Sequence, residues 1–337
     1  MAGYALKNCM SPQSKISISP PPATRIVFFG TSAFAIPALT ALQEHRYNIV
    51  GIVTNPDEPA GRKRALTAPP VKVVAVAHNL PVYQPEKLDA GYWKNEMPEA
   101  DLFIVAAYGK LIPGPILALP RSGALNLHPS LLPRWRGPSP IQYTILNGDT
   151  ETGVTLIKID ERMDHGSVVA VTPYHIPNPR TISYPELHGV LSRLGAKLLI
   201  DALPSYLSGE APLKPQDETA VTFSKLLKKE DGRITWTHPA DRIERMIRAF
   251  SPWPGCWTLW PGRNRITRIR IDRAAPVPDE PPGGGPGYIW KNAEHPLLIK
   301  AGEQSIAPLE LTPGGAKKMM AAEFLRGHPD IIGEVLV

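Results

Sequence analysis

Residues 123–166 read GALNLHPSLLPRWRGPSPIQYTILNGDTETGVTLIKIDERMDHG, and three of them have side chains suited to carbonyl chemistry. Asn126 and His128 are two apart in the apolar run GALNLH, so on a strand both side chains leave the same face. Pro129 ends that run, because proline cannot continue a central ladder. The carboxyl end of a strand in an open parallel sheet is where ligands bind. An amide and an imidazole placed there can orient a carbonyl and stabilise the oxyanion it becomes. Asp164 follows the next strand in a polar turn, from which it could return to the imidazole, fix its tautomer and raise its basicity. A lone histidine at a strand end is as readily structural, and spacing alone leaves that reading open. No serine or cysteine sits at a nucleophile elbow, so direct transfer fits better than a covalent intermediate.

These residues need elements to hold them, and the surrounding pattern supplies them. RIVFFG (25–30) is a short apolar run ending in Gly30, followed by TSAFAIPALTALQEH at helical spacing. YNIVGIVT, DLFIVAAYG, GALNLH and TGVTLIKID read as strands, with VKVVAVAHN and SPIQYTILNG as helices between them. Strands alternating with helices predict an α/β fold, a Rossmann-like doubly wound, mostly parallel sheet over 25–209. A long amphipathic helix, 183–209, closes that domain. Gly30 marks a tight turn, structural or beneath a ligand. The single glycine of Gly30-Thr31-Ser32-Ala33-Phe34 is not a dinucleotide fingerprint, and no P-loop lysine follows.

Residues 210–224 are proline-rich and polar and read as a linker. Beyond them, over 225–337, short alternating strands with turn signals every 8–12 residues predict a small closed β-barrel of the OB-like kind. Trp253 and Trp257 flank Pro254-Gly255 and are expected to pack under that turn rather than to stack on bases. By period-2 counting Arg268 and Arg270 share a face, and Arg273 lies on the other. Residues 1–24 carry no acidic residue and no apolar signal core, and are expected to form a disordered leader.

Composition narrows the class further. A hydrophobic fraction of 43% supports a sizeable core. The 39 prolines among 337 residues imply many rigid loops. No stretch reaches the ~18–20 apolar residues of a membrane helix. Two cysteines, Cys9 and Cys256, are too few for a disulfide scaffold, and neither has a metal-ligand spacing, so no metal is expected and a reducing cytoplasm is the natural compartment. Residues 221–337 hold +4 of the net charge of +6, a basic bias that suits an anionic partner or a solvated face.

The motifs carry a resemblance. Asn126-x-His128, then Ser130-Leu131-Leu132-Pro133 and Arg134-Trp135-Arg136-Gly137, closely resembles the signature of the folate-dependent formyltransferases. Five further segments match in order: NPDEPAGRKRALTAPPVK (55–72), VAAYGKLIP (105–113), GVTLIKID (153–160), RAFSPWPG (248–255) and GGAKKM (314–319). The 55–72 loop and the barrel make it similar to the branch that acts on methionyl-tRNA.

The resemblance implies transfer of the formyl group of 10-formyltetrahydrofolate to the α-amine of methionyl-initiator tRNA, by a monomeric cytoplasmic enzyme of translation initiation. It implies Asn126, His128 and Asp164 as the catalytic trio. Ser130, Leu131, Leu132 and Pro133, with Ala106 and Tyr108, would meet the folate. Arg62, Lys63 and Arg64 would meet the tRNA acceptor stem, and Arg268 and Arg270 the RNA backbone. A sugar-nucleotide N-formyltransferase would share the trio without needing the basic barrel or the arginine loop, and a formyl-folate hydrolase would use water as acceptor. Around Asp164 the family usually shows Gly-Leu-Asp-Thr-Gly, whereas this chain has Arg162-Met163-Asp164-His165-Gly166, which puts the turn and the titration of the trio in question.

Overall fold

A computed structural model describes residues 24–60, 65–262 and 266–337. The leader and the basic triplet Arg62, Lys63 and Arg64 therefore lie outside the described residues, as do Arg263 and Arg265.

The first sheet is assembled from β1 (Arg25–Gly30), β2 (Asn48–Val53), a side hairpin of β3 (Glu58–Ala60) and β4 (Ala65–Thr67), then β5 (Val82–Tyr83), β6 (Leu102–Ala106), β7 (Ala124–His128), β8 (Glu151–Lys158) and β9 (Val168–His175). Helices α1 (Ile36–Glu44), α2 (Pro70–Ala77), α3 (Ala90–Glu96), α4 (Gly114–Leu117), α5 (Pro140–Asn147) and α6 (Tyr184–Leu207) cover its faces. The strand order is β5-β2-β1-β6-β7-β8-β9, with β3 and β4 paired apart from it. Pairing is parallel from β5 to β7 and antiparallel at β7/β8 and β8/β9. The chain winds outward from β1 to β5 and returns on the other side at β6, so the strand order reverses between β1 and β6.

The apolar run of β1 is continuous because both faces are covered. Ile26 and Phe28 point into one core layer, Val27 and Phe29 into the other, where Phe29 meets Phe103, Trp93 and Tyr108. Strand β9 has no counterpart in the sequence expectation. From Ala170 on it alternates half-buried and exposed residues on the sheet edge, and it carries Pro173 there, where no ladder partner is lost.

The second domain holds α7 (Ala240–Ala249), β10 (Cys256–Trp260), β11 (Thr267–Val277), β12 (Ile289–Trp290), β13 (Leu298–Lys300), β14 (Ser305–Pro313), β15 (Met319–Met320) and α8 (Ala321–Gly327). All its sheet pairs are antiparallel, in the order β10-β11-β14-β13-β12. Residues 333–337 close the ring. Leu259 of β10 exchanges two hydrogen bonds with Val337, and Ile289 of β12 bonds Gly333 and Glu334. Ahead of α7, a short 3-10 turn spans Lys229–Gly232.

The two domains are not loosely tethered. A single buried core runs from α5 and α6 through Ile243 and Ile247 of α7 into the barrel. Arg245 donates to the Leu146 carbonyl, and Arg248 to those of Pro179 and Ile182. The 210–224 segment, expected as a linker, is bonded along the first domain: Lys214 pairs with Val168, and Phe223 with Arg136. Its polar residues find backbone partners there, which a solvated tether would leave to water.

Candidate active site

Strands β1, β6 and β7 end side by side, with Gly30 opposite Ala106 and Val105 opposite Asn126. The loops leaving this edge after β6 and β7 hold Ala107 at φ +44° and Trp135 at +59° in the left-handed region, and Asp164, at +49°, is left-handed in the turn that returns from the end of the antiparallel β8. Such conformations persist only where surrounding bonds hold them. Gly30 itself serves packing, since a Cβ there would lie 2.7 Å from the Phe28 ring and 2.9 Å from Ala35.

Asn126 and His128 project from one face of β7, as their spacing predicts. The turn after β8 returns Asp164 to them. One carboxylate oxygen, Oδ1, stands 3.5 Å from His128 Nδ1 and accepts from Asn126 Nδ2 at 3.4 Å. The other, Oδ2, accepts the Gly137 backbone N–H at 2.8 Å. A carboxylate held from three sides at the end of β7 is thus one unit with the amide and the imidazole.

The tautomer of His128 is fixed differently from the expectation. Its Nε2 stands 3.0 Å from the Trp135 carbonyl, which can only accept, so Nε2 carries a proton. Nδ1 is then the nitrogen presented to Asp164, and the proton it gains or loses is the one able to move. The ring is 4% exposed, so water competes little for either nitrogen.

Trp135 is held in turn. Its indole N–H donates to Asp149 at 2.8 Å, its backbone N–H to Thr222 Oγ1 at 2.9 Å, and Arg134 lies over its ring while forking onto Asp149. Gly137 is required by close approach: at φ +110° its missing Cβ would sit 2.4 Å from the Ser224 carbonyl.

Arg162 needs no special backbone. Its N–H donates to Asp160, and the left-handed residue of the turn is Asp164. His165 faces away from the trio, with Nδ1 2.5 Å from Asp160 and Nε2 3.5 Å from Glu218.

Of the residues expected at the folate, Ser130 is buried and its hydroxyl donates to the Arg134 carbonyl, while Leu131, Leu132 and Pro133 are half-buried at the edge. Ala106 is fully buried in the core at the end of β6. The Tyr108 ring packs into the core beyond β1, where burial pushes its hydroxyl up to about 12 and leaves its oxygen without a partner. Only its carbonyl, taken by Thr31 Oγ1, faces the edge.

On the barrel, Arg268 lies over the Trp257 ring at 4.1 Å, and Arg270 pairs with Asp272 at 2.7 Å. Two expectations are corrected here. Arg273 pairs with Glu310, which shares a face of β14 with Thr312, the partner of Arg270. A bulge at Asp272 breaks the period-2 count and returns Arg273 to the face of Arg268 and Arg270. Trp253 is 50% exposed rather than packed under its turn, and Trp257 is covered by Arg268 and Arg233.

The hydroxyls near the trio are engaged: Ser130 as above, and Ser224 with the Ser139 N–H and the Arg136 carbonyl. Cys256 is buried in the barrel, and burial pushes its thiol up. Among the described residues no cluster of His, Cys, Asp or Glu could hold a metal ion, and no helix is long and apolar enough to cross a membrane. An amide, an imidazole and a carboxylate brought together at a strand edge suit chemistry on a carbonyl.

The formyl transferase family model matches residues 24–203, and that of the formyl transferase C-terminal domain matches 226–329. The methionyl-tRNA formyltransferase of Chloroflexus aggregans is 44% identical over 306 residues, which is 90% of this chain and 97% of that protein. The chain therefore belongs to the formyl transferase family, in its methionyl-tRNA formyltransferase branch.

Solved structures share the fold at low identity. The N-formyltransferase of Helicobacter canadensis, in complex with folinic acid and dTDP-3-aminofucose, gives a TM-score of 0.59 at 16% identity, over 84% of this chain and 98% of that one. HypX from Aquifex aeolicus gives 0.61 at 18% identity over 92% of this chain, which spans about half of that longer protein.

Trp135, Asp149, Gln216 and Thr222 do not stand out as site residues in the sequence. Trp135 lies inside the motif that carries the resemblance. Gln216 and Thr222 give no signal in a polar, proline-rich stretch.

Proposed function

We propose that this enzyme transfers the formyl group of 10-formyltetrahydrofolate to the α-amine of methionyl-initiator tRNA, in the cytoplasm. The observation that carries the reading is the convergence of Asn126, His128 and Asp164 at one strand edge, in a chain whose 44%-identical relative bears that activity in its name.

Attack of the neutral amine on the formyl carbon places negative charge on the formyl oxygen. The Asn126 amide and a protonated His128 are the donors available to it. The proton lost by the amine passes to His128 Nδ1, beside Asp164, and from there to the folate nitrogen as the adduct collapses and that nitrogen leaves. The Trp135 carbonyl keeps Nε2 protonated throughout, so a single nitrogen of the ring exchanges its proton. The edge residues 130–133, with Ala106 and the Tyr108 backbone, would bind the folate. Arg62, Lys63 and Arg64, between β3 and β4 in the chain, would meet the acceptor stem. The approach to β3 is secured by Asp57, whose carboxyl Gln84 and Lys72 hold below the usual range. Arg268 and Arg270 would follow the RNA backbone.

The test is formyl transfer to methionyl-initiator tRNA from 10-formyltetrahydrofolate, with His128→Ala as the control. Formylated product that disappears in the variant supports the reading. Donor consumption with unformylated methionyl-tRNA would shift the acceptor to an amino sugar or water.

A further inference from the structure

The segment joining the domains touches the backbone beside both His128 and Asp164, but none of the trio's side chains. Thr222 lies on the His128 side. Its Oγ1 accepts the Trp135 N–H at 2.9 Å, and its carbonyl accepts the Arg136 N–H at 2.9 Å. Trp135 has φ +59°, a conformation a bulky residue keeps only under restraint, and its carbonyl receives the His128 Nε2 proton.

Gln216 lies on the Asp164 side. Its Nε2 donates to the Asp164 carbonyl at 2.7 Å and to the Gly166 carbonyl at 2.9 Å, spanning a turn whose centre, Asp164, is also left-handed. The side-chain oxygen of the same amide accepts from Arg136 Nε and Nη2 at 3.0 and 2.9 Å. Arg136 is 4% exposed and pairs with Glu218 of the same segment at 2.7 Å. The loop after β7 and the turn after β8 are therefore linked through side chains of a segment that follows both in the chain. A side chain of this segment thus bonds each of two left-handed residues, one of them Asp164 and the other the partner of His128.

We propose that this segment is a positioning device for the reaction: Thr222 sets the tautomer of His128 through Trp135, and Gln216 sets the carboxylate of Asp164 through its turn. Both are positioning residues. The kinetic consequence rests on the formyl-transfer reading, whereas the tautomer of His128 does not.

The experiment uses the full chain with Thr222→Val, Thr222→Ser and Gln216→Met. Steady-state formylation is expected to show kcat reduced about tenfold to a hundredfold in Thr222→Val and in Gln216→Met. KM for both substrates should stay within roughly twofold. Thr222→Ser, which keeps the hydroxyl, should restore kcat. Nitrogen-15 spectra of histidine-labelled protein, with the His128 signals assigned by their loss in His128→Gln, should show the Nε2-protonated form in the wild type and in Thr222→Ser. In Thr222→Val they should show a mixture of tautomers.

Equal losses in Thr222→Val and Thr222→Ser, a change confined to KM, or an unaltered spectrum in Thr222→Val would overturn the proposal. Should the wild type fail to formylate methionyl-tRNA, the functional reading falls and the spectra alone decide. Should Thr222→Val fail to fold, Gln216→Met, which frees the turn of Asp164 from Arg136, decides by its kcat.

Discussion

The carboxyl edge of the first sheet and the arginine face of the barrel both present polar side chains, and they hold them in opposite ways. At the edge, His128 is buried and its partners come from the loops after β7 and β8, with Thr222 and Gln216 behind them. On the barrel, Arg268 and Arg270 are exposed and their partners are local: Trp257 on the adjacent strand and Asp272 two residues along. A group that must meet a developing charge needs a fixed position within a fraction of an ångström, and buried partners supply it. A group that neutralises a phosphate needs charge, reach and exposure, and a strand face supplies those.

The sharpest way to break this contrast is to remove an edge group. His128→Ala should lower kcat about 10²–10³-fold, with little change in the salt dependence of RNA binding; rapid-quench formylation and filter binding measure the two separately. Equal loss in both assays would mean that the edge also binds RNA.

Next in size is Gly137→Ala. Its Cβ would displace the Ser224 carbonyl and with it the N–H that holds Asp164. Thermal unfolding should show a loss of about 1–3 kcal/mol, accompanied by a fall in kcat.

A smaller effect belongs to the barrel. Arg268→Ala with Arg270→Ala should leave kcat near that of the wild type and weaken RNA binding. The salt slope of log K should fall by about one for each phosphate that is no longer neutralised. An unchanged slope would leave these arginines as ordinary surface residues.

The smallest tests the opposite edge of the same sheet, where strands begin. Side-chain bonds from Arg25 hold the Asp101 carboxyl at about 2. Because its folded value lies below the unfolded ~3.9, the stabilisation is complete above that unfolded value and is lost as pH falls toward the folded one. Asp101→Asn should flatten the acid limb of the unfolding curve between about pH 4 and pH 2 and leave formylation at neutral pH unchanged.

Much of this molecule could be read from residue order because its determinants are local. The period-2 pair Asn126 and His128, the stop at Pro129, and the two-sided burial of β1 each depend on a few neighbouring residues. Local counting failed where an extra residue entered a strand, as at Asp272, which turned Arg273 back to the face of Arg270. It also failed for Trp253, whose burial depended on what lay above its turn.

The sequence by itself determined the strand-and-helix alternation, the two domains and the types of side chain at the end of β7. It also placed Asp164 in a turn able to reach them. Only the tertiary structure decided which nitrogen of His128 faces Asp164, since that depends on a Trp135 carbonyl oriented by Asp149 and Thr222. It alone showed that 210–224 is a bonded strap and that residues 333–337 close the barrel. The physical reason is the same in each case. Backbone propensity and apolar period are properties of adjacent residues, whereas the direction of a hydrogen bond is set by whichever distant group folding brings within about 3 Å.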